Sequence, residues 1–221
     1  MEWIKADDPI EEVELFKSSK DIAKDIIKEM NSKWESFFLG GEDKEDKEDK
    51  EDKIVKEGLR TTKLFELLTT LGDGKGYKVY SHSLSKKFID DSKENNNGVT
   101  KFVNREWLFD LCWYKEDETL KYGLKSLDLA VESEWTNKRK EDKEDPYGGI
   151  KYDFQKLLVA NMGLCLMVFE VTKEGREELS KYFEKVYDIY EGNKTEILFI
   201  AFSRKEKTFY YSYLPKKQKD V

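Results

Sequence analysis

The apolar residues of this chain change their spacing along its length, and the order of those changes restricts the fold more than any other feature. Helical spacing comes first, over residues 10–39, through Ile10, Val13, Phe16, Ile22, Ile26, Ile27, Met30, Trp34 and Phe37. The polar "KSSKD" inside this stretch marks a break between two helices. A second helical stretch, "IVKEGLRTTKLFELLTTLG", carries Val55, Leu59, Leu64, Leu67, Leu68 and Leu71, and Gly72 is expected to stop it. Strand-like segments follow: "GYKVYSHSL", the long "FVNREWLFDLCWYK" and "KSLDLAVESEW". Next come a short helix, "DFQKLLVAN", which Asp153 can cap, and the apolar strand "LCLMVFEV". Residues 174–191 form an amphipathic helix with Leu179, Tyr182, Phe183, Val186, Tyr187 and Tyr190 on one face. The strands "TEILFIAFS" and "TFYYSYL" lie on either side of the turn "RKEK". This order predicts an α/β fold with a mixed central β-sheet flanked by helices. The helix at 55–71 should cover one face, and the helix at 174–191 should pack against the sheet.

Between the first two helical stretches lies "EDKEDKEDKEDK", Glu42 to Lys53, one tripeptide four times over. With no apolar residue it should bury almost nothing, although Glu and Lys are good helix formers. The expected organisation is an N-terminal helical segment (1–39), a charged linker (40–53), an α/β domain (54–214) and a basic tail (215–221). Charged residues make up 39% of the chain, with a net charge of −7. That excludes a surface basic all over, as nucleic-acid-binding domains often have, but leaves room for a local basic track. Cys112 and Cys165 sit in apolar runs and read as buried free thiols. The lone His82 reads as structural or exposed, so zinc sites and histidine-based triads have little to draw on. No apolar run reaches the roughly 20 residues that span a bilayer. The first residues lack the basic start and apolar centre of a secretion signal, so the expectation is a cytoplasmic protein without a membrane partner.

The acids inside apolar segments need an explanation. Alternation puts Asp128, Ala130, Glu132 and Glu134 on one face of the third strand. In the second strand, Glu106, Leu108, Asp110 and Cys112 share a face, and Trp107, Phe109, Leu111 and Trp113 form the other. Asp110 has apolar neighbours on both sides, and a buried carboxylate is costly unless a cation or several donors compensate it. If these strands pair, Asp110 and Glu132 lie side by side. They could then share a divalent ion, pair with Lys or Arg, or face solvent.

The order of elements and these acids resemble the PD-(D/E)XK, or restriction endonuclease-like, nuclease superfamily. Its core is a helix, three strands, a helix and a strand. "WLFDLCWY" matches the strand with the metal-binding Asp, "LAVESEW" the strand with the (D/E)-x-K element, and "DFQKLL" the helix after it. The resemblance covers roughly residues 55–171. It implies metal ligation by Asp110 and Glu132, with Mg²⁺ as cofactor and Mn²⁺ as its substitute. Glu134 stands where the family usually has Lys. It would be a further ligand, while Lys156 supplies the amine from the following helix. Glu57 or Glu66 would add the acid often found on the first core helix. The implied activity is hydrolysis of nucleic-acid phosphodiesters, with Asp110, Glu132, Glu134 and Lys156 as catalytic residues. Lys138, Arg139, Lys140, the "RKEK" turn and the "PKKQK" tail are candidates for the track. The alternative is a scaffold that has lost its metal and serves as a protein-interaction module. A homodimer is left open.

Overall fold

The computed structural model describes residues 1–6, 21–38, 57–82, 108–120, 123–135, 145–160, 162–192 and 195–216. In chain order the elements are β1 (Ile4–Lys5), α1 (Asp21–Phe38), α2 (Glu57–Gly74), β2 (Lys78–Ser81), β3 (Leu111–Glu116) and β4 (Leu124–Glu134). They continue with α3 (Gly148–Val159), β5 (Leu164–Glu170), α4 (Lys173–Ile189), β6 (Ile197–Ser203) and β7 (Thr208–Leu214).

Among the described residues seven strands form one mixed sheet in the order β1-β7-β6-β5-β4-β3-β2. β4, β5 and β6 run parallel, and every other neighbouring pair is antiparallel. Helices cover both faces, so a central strand such as β5 is buried on both sides and reads as an unbroken apolar run. One face carries Leu129, Val131, Leu166, Val168 and Ile200. On it sits α1, whose Ala23, Ile26, Ile27 and Met30 follow the i, i+3, i+4, i+7 spacing of a single helical stripe. Leu64, Phe65, Leu67 and Leu68 of α2 join the same core. The opposite face, with Cys112, Ala130, Cys165, Met167 and Phe199, receives α3 and α4. They contribute Phe154, Leu157 and Leu158, and Leu179, Phe183 and Tyr187. Phe183 stacks on Phe199 with ring centroids 4.7 Å apart.

The expected α/β class and the mixed sheet flanked by helices are present. The N-terminal segment differs from its purely helical reading. Ile4 pairs with Tyr211, which adds a strand at the sheet edge, and α1 shares the main core. α2 continues to Gly74 instead of stopping at Gly72. A Cβ on Gly72 would stand 2.7 Å from Trp113 Nε1, so this glycine lets the helix lie close on the sheet. The turn itself is made at Gly76, with φ of 77°.

The second predicted strand is shorter than its apolar run. β3 begins at Leu111, residues 108–110 form a bend, and 101–107 lie outside the described residues. The bend also breaks the expected alternation. Phe109 packs with Cys112 and Tyr114 and not with Leu111 and Trp113, while Leu108 is exposed. The charged repeat at Glu42 to Lys53 and the cluster Lys138, Arg139, Lys140 lie outside the described residues. Among those described, no helix is long and apolar enough to cross a membrane.

Candidate metal and phosphate site

Asp110 sits in the bend at the mouth of β3, not within the strand. Leu111 pairs with Val131, which places Asp110 level with Glu132 just where the β3–β4 ladder ends. The side chain of Asp110 closes that end. Its Oδ2 accepts from the Ser133 backbone N–H at 2.9 Å and from Ser133 Oγ at 3.5 Å. Its carbonyl oxygen accepts from the backbone N–H of His82, whose side chain is exposed.

Glu132 follows Ala130 on the α3 side of β4 and is only 1% exposed. Lys156 reaches it from the last turn of α3, with Nζ 2.6 Å from Glu132 Oε1. The contact is an ion pair without aligned hydrogen-bond geometry, and that oxygen has no other hydrogen-bond partner. One helical turn back, Asp153 is also buried, with Oδ1 3.5 Å from the same ammonium. Asp153 was expected to cap this helix. The helix instead starts at Gly148 after Tyr147, so Asp153 falls in its second turn and faces the site. Two buried carboxylates thus share one lysine, and Asp110 acts on them at longer range.

Their titration follows from that arrangement. Burial raises the pKa of Asp110, against the donors of Ser133 and the charge of Lys156. Burial and the negative charge of Asp110 push Glu132 up to about 8. Burial lowers Lys156, but its contacts with Glu132 outweigh this and leave it raised. The last two directions oppose each other, because a raised lysine needs an ionised glutamate. The 2.6 Å contact favours the charged pair, with Glu132 a carboxylate that takes up a proton more readily than usual.

Glu132 and Lys156 are in contact, and Asp110 stands level with Glu132 at the end of the ladder. Glu134 is half-buried at the end of β4. α2 packs on the opposite face of the sheet from Glu132, which separates Glu66 from the cluster. The side chain of Glu57 lies outside the described residues. Among the described residues, no group of three or more His, Cys, Asp and Glu side chains stands close enough to hold a metal unaided. Magnesium often takes only one or two carboxylates, completing its shell with water and substrate phosphate. The all-oxygen pair Asp110 and Glu132, with its mutual repulsion and an incompletely satisfied Oε1, fits that use.

Both cysteines are free and buried beside the site. Cys112 and Cys165 flank Ala130 in one row across three strands, about 10 Å apart and beyond disulfide reach. Burial, with Glu132 second, pushes the Cys112 thiol far up, so it stays neutral and is no nucleophile.

A second ionic cluster, which the sequence reading did not find, lies on the other face. Arg60 of α2 is 1% exposed and ion-paired with Glu170 at the end of β5. Arg204 grips the same carboxylate at 2.8 and 3.0 Å. The Arg60 guanidinium lies over Trp135 and Phe202, 5.1 and 5.8 Å from the ring centroids. The "RKEK" turn, Arg204 to Lys207, is exposed, but its arginine is engaged in this cluster.

Comparison with family models, with curated proteins and with solved structures gives no match.

Proposed function

We propose that this protein is a metal-dependent phosphodiester hydrolase acting on nucleic acid, with a restriction endonuclease-like core. The observation that carries the reading is that Glu132 and Asp153 share the ammonium of Lys156, with Asp110 level with Glu132 and near enough to raise it. Among the described residues Lys156 is the cation paired with Glu132, whose buried Oε1 has no aligned hydrogen-bond donor. The element order supports it as well: α2, three antiparallel strands β2 to β4, α3, and then β5 parallel to β4. That is the helix, three strands, helix, strand sequence of the PD-(D/E)XK superfamily.

Asp110 and Glu132 would hold Mg²⁺ or Mn²⁺. Bound there, the ion supplies Lewis-acid polarisation of a phosphate and a more acidic bound water. Ser133 fixes the carboxylate of Asp110 through its N–H, so the ligand is oriented in advance. Lys156, held by Glu132 and Asp153, offers a positive charge against the charge that develops on phosphate. Glu134, half-buried at the usual lysine position, leaves that role to Lys156.

The test is cleavage of single- and double-stranded DNA and RNA with and without Mg²⁺ or Mn²⁺. Wild type should cleave one of these only with metal, and Asp110→Asn should abolish cleavage while remaining folded. If wild type cleaves none of them and binds neither ion, the enzyme reading fails, and a scaffold that binds a protein partner becomes the better account.

A further inference from the structure

Lys156 occupies the place where a metal would need Glu132. Its Nζ is 2.6 Å from Glu132 Oε1, and this oxygen is buried with no other hydrogen-bond partner. A divalent ion on the same oxygen would stand beside that ammonium, and the two cations repel strongly where water is excluded. That repulsion favours withdrawal of the lysine from Glu132 as the metal takes it. A second carboxylate stands ready to receive it. Asp153 is 3% exposed, one turn earlier on the same helix, and 3.5 Å from the ammonium. The i, i+3 spacing keeps that partner beside Lys156 whatever happens on β4.

Building on the metal-site reading above, we propose that Lys156 is a resident counter-ion which a divalent metal displaces from Glu132, and that Asp153 is the positioning residue that receives it. Asp153 belongs to the site without ligating the metal. It keeps the ammonium close to the reacting phosphate after the exchange and offsets the loss of its first partner. In the metal-free protein the lysine offsets the charge of Glu132, and the loaded site keeps its lysine.

The experiment is titration of the full chain with Mn²⁺ by calorimetry, in the absence of nucleic acid. Lys156→Met should tighten Mn²⁺ binding by about tenfold, since the competing cation is gone. Asp153→Asn should weaken it several-fold, about threefold to tenfold, because the departing ammonium has lost its second partner. In the Lys156→Met background the Asp153→Asn effect should vanish. A weakening that persists there would make Asp153 a metal ligand and overturn the exchange. Equal Mn²⁺ affinity in wild type and Lys156→Met would overturn it too, while leaving the metal site in place. If neither wild type nor Lys156→Met binds Mn²⁺, the metal reading falls and this inference falls with it. Wild type provides a measurement that needs no variant. The ¹⁵N signal of the Lys156 ammonium should shift on adding Mg²⁺, and a signal unmoved at saturating metal would contradict the displacement.

Discussion

Two ionic clusters sit towards the ends of the parallel strands, on opposite faces of the same sheet, and they are built in opposite proportions. On the α2 side, two arginines share the one carboxylate of Glu170. On the α3 side, two carboxylates share the one ammonium of Lys156, with Asp110 acting at longer range. In the first, the buried guanidinium has an acid and two aromatic faces around it, although its Nε is left without a hydrogen-bond partner, and the acid is gripped by two side-by-side bonds from Arg204, which is half exposed to water. In the second, burial raises the acids, and the proposal places a cation there. On this account the first cluster is a clamp between elements and the second a site for a cation.

The largest effect should come from breaking the clamp. Glu170→Gln leaves Arg60 charged inside the core and should cost about 3–5 kcal/mol in urea unfolding. Glu132→Gln, although equally central, removes one of three acids and leaves Lys156 its partner Asp153. It should change stability by less than about 1 kcal/mol. Equal losses in the two variants would erase the distinction between clamp and cation site.

Next in size is the pH dependence. Burial raises Glu132 above its ordinary 4.5 and Asp110 above its 3.8. The folded protein therefore binds more protons than the unfolded chain at pH values above these. The stability that these groups contribute is complete at about pH 3 and is lost as pH climbs through their raised values. Asp110→Asn should accordingly raise the melting temperature by about 2 °C at pH 8 and leave it unchanged at about pH 3. A variant destabilised at pH 8 would show instead that the carboxylate is needed to close the end of the β3–β4 ladder.

The smallest effect should come from the outer arm of the clamp. Arg204 is 47% exposed, so Arg204→Ala should cost less than about 1 kcal/mol, well below Glu170→Gln. A loss as large as that of Glu170→Gln would mean that Arg204, rather than Arg60, holds the cluster together.

The sheet was legible because strands alternate and helices repeat at a different period, and the two rarely mimic each other over ten residues. Asp110 and Glu132 were legible for a related reason, whereas Lys156 was offered only by the family resemblance. An acid within "WLFDLCWY" is costly wherever that segment goes, and i, i+2 spacing fixes which side of β4 Glu132 takes. The end of β3 was not legible, because the apolar run continues through the bend and periodicity alone does not show where a ladder stops pairing. Asp153 was read as a cap because it stands near the start of an apolar helical run. Nothing local revealed that the helix begins five residues earlier, at Gly148. The Arg60–Glu170–Arg204 cluster joins residues 110 and 34 positions apart, a pairing only the folded topology creates.

The central claim is that the negative cluster on the α3 side is a cation site with a displaceable lysine. Its most direct test is a crystal structure of the full chain grown with Mn²⁺, with data collected for the manganese anomalous signal. The account predicts a single anomalous peak within coordination distance of Asp110 and Glu132, with Lys156 Nζ withdrawn from Glu132 and resting on Asp153. Well-ordered density with no such peak at saturating Mn²⁺, and Lys156 still paired with Glu132, would contradict it.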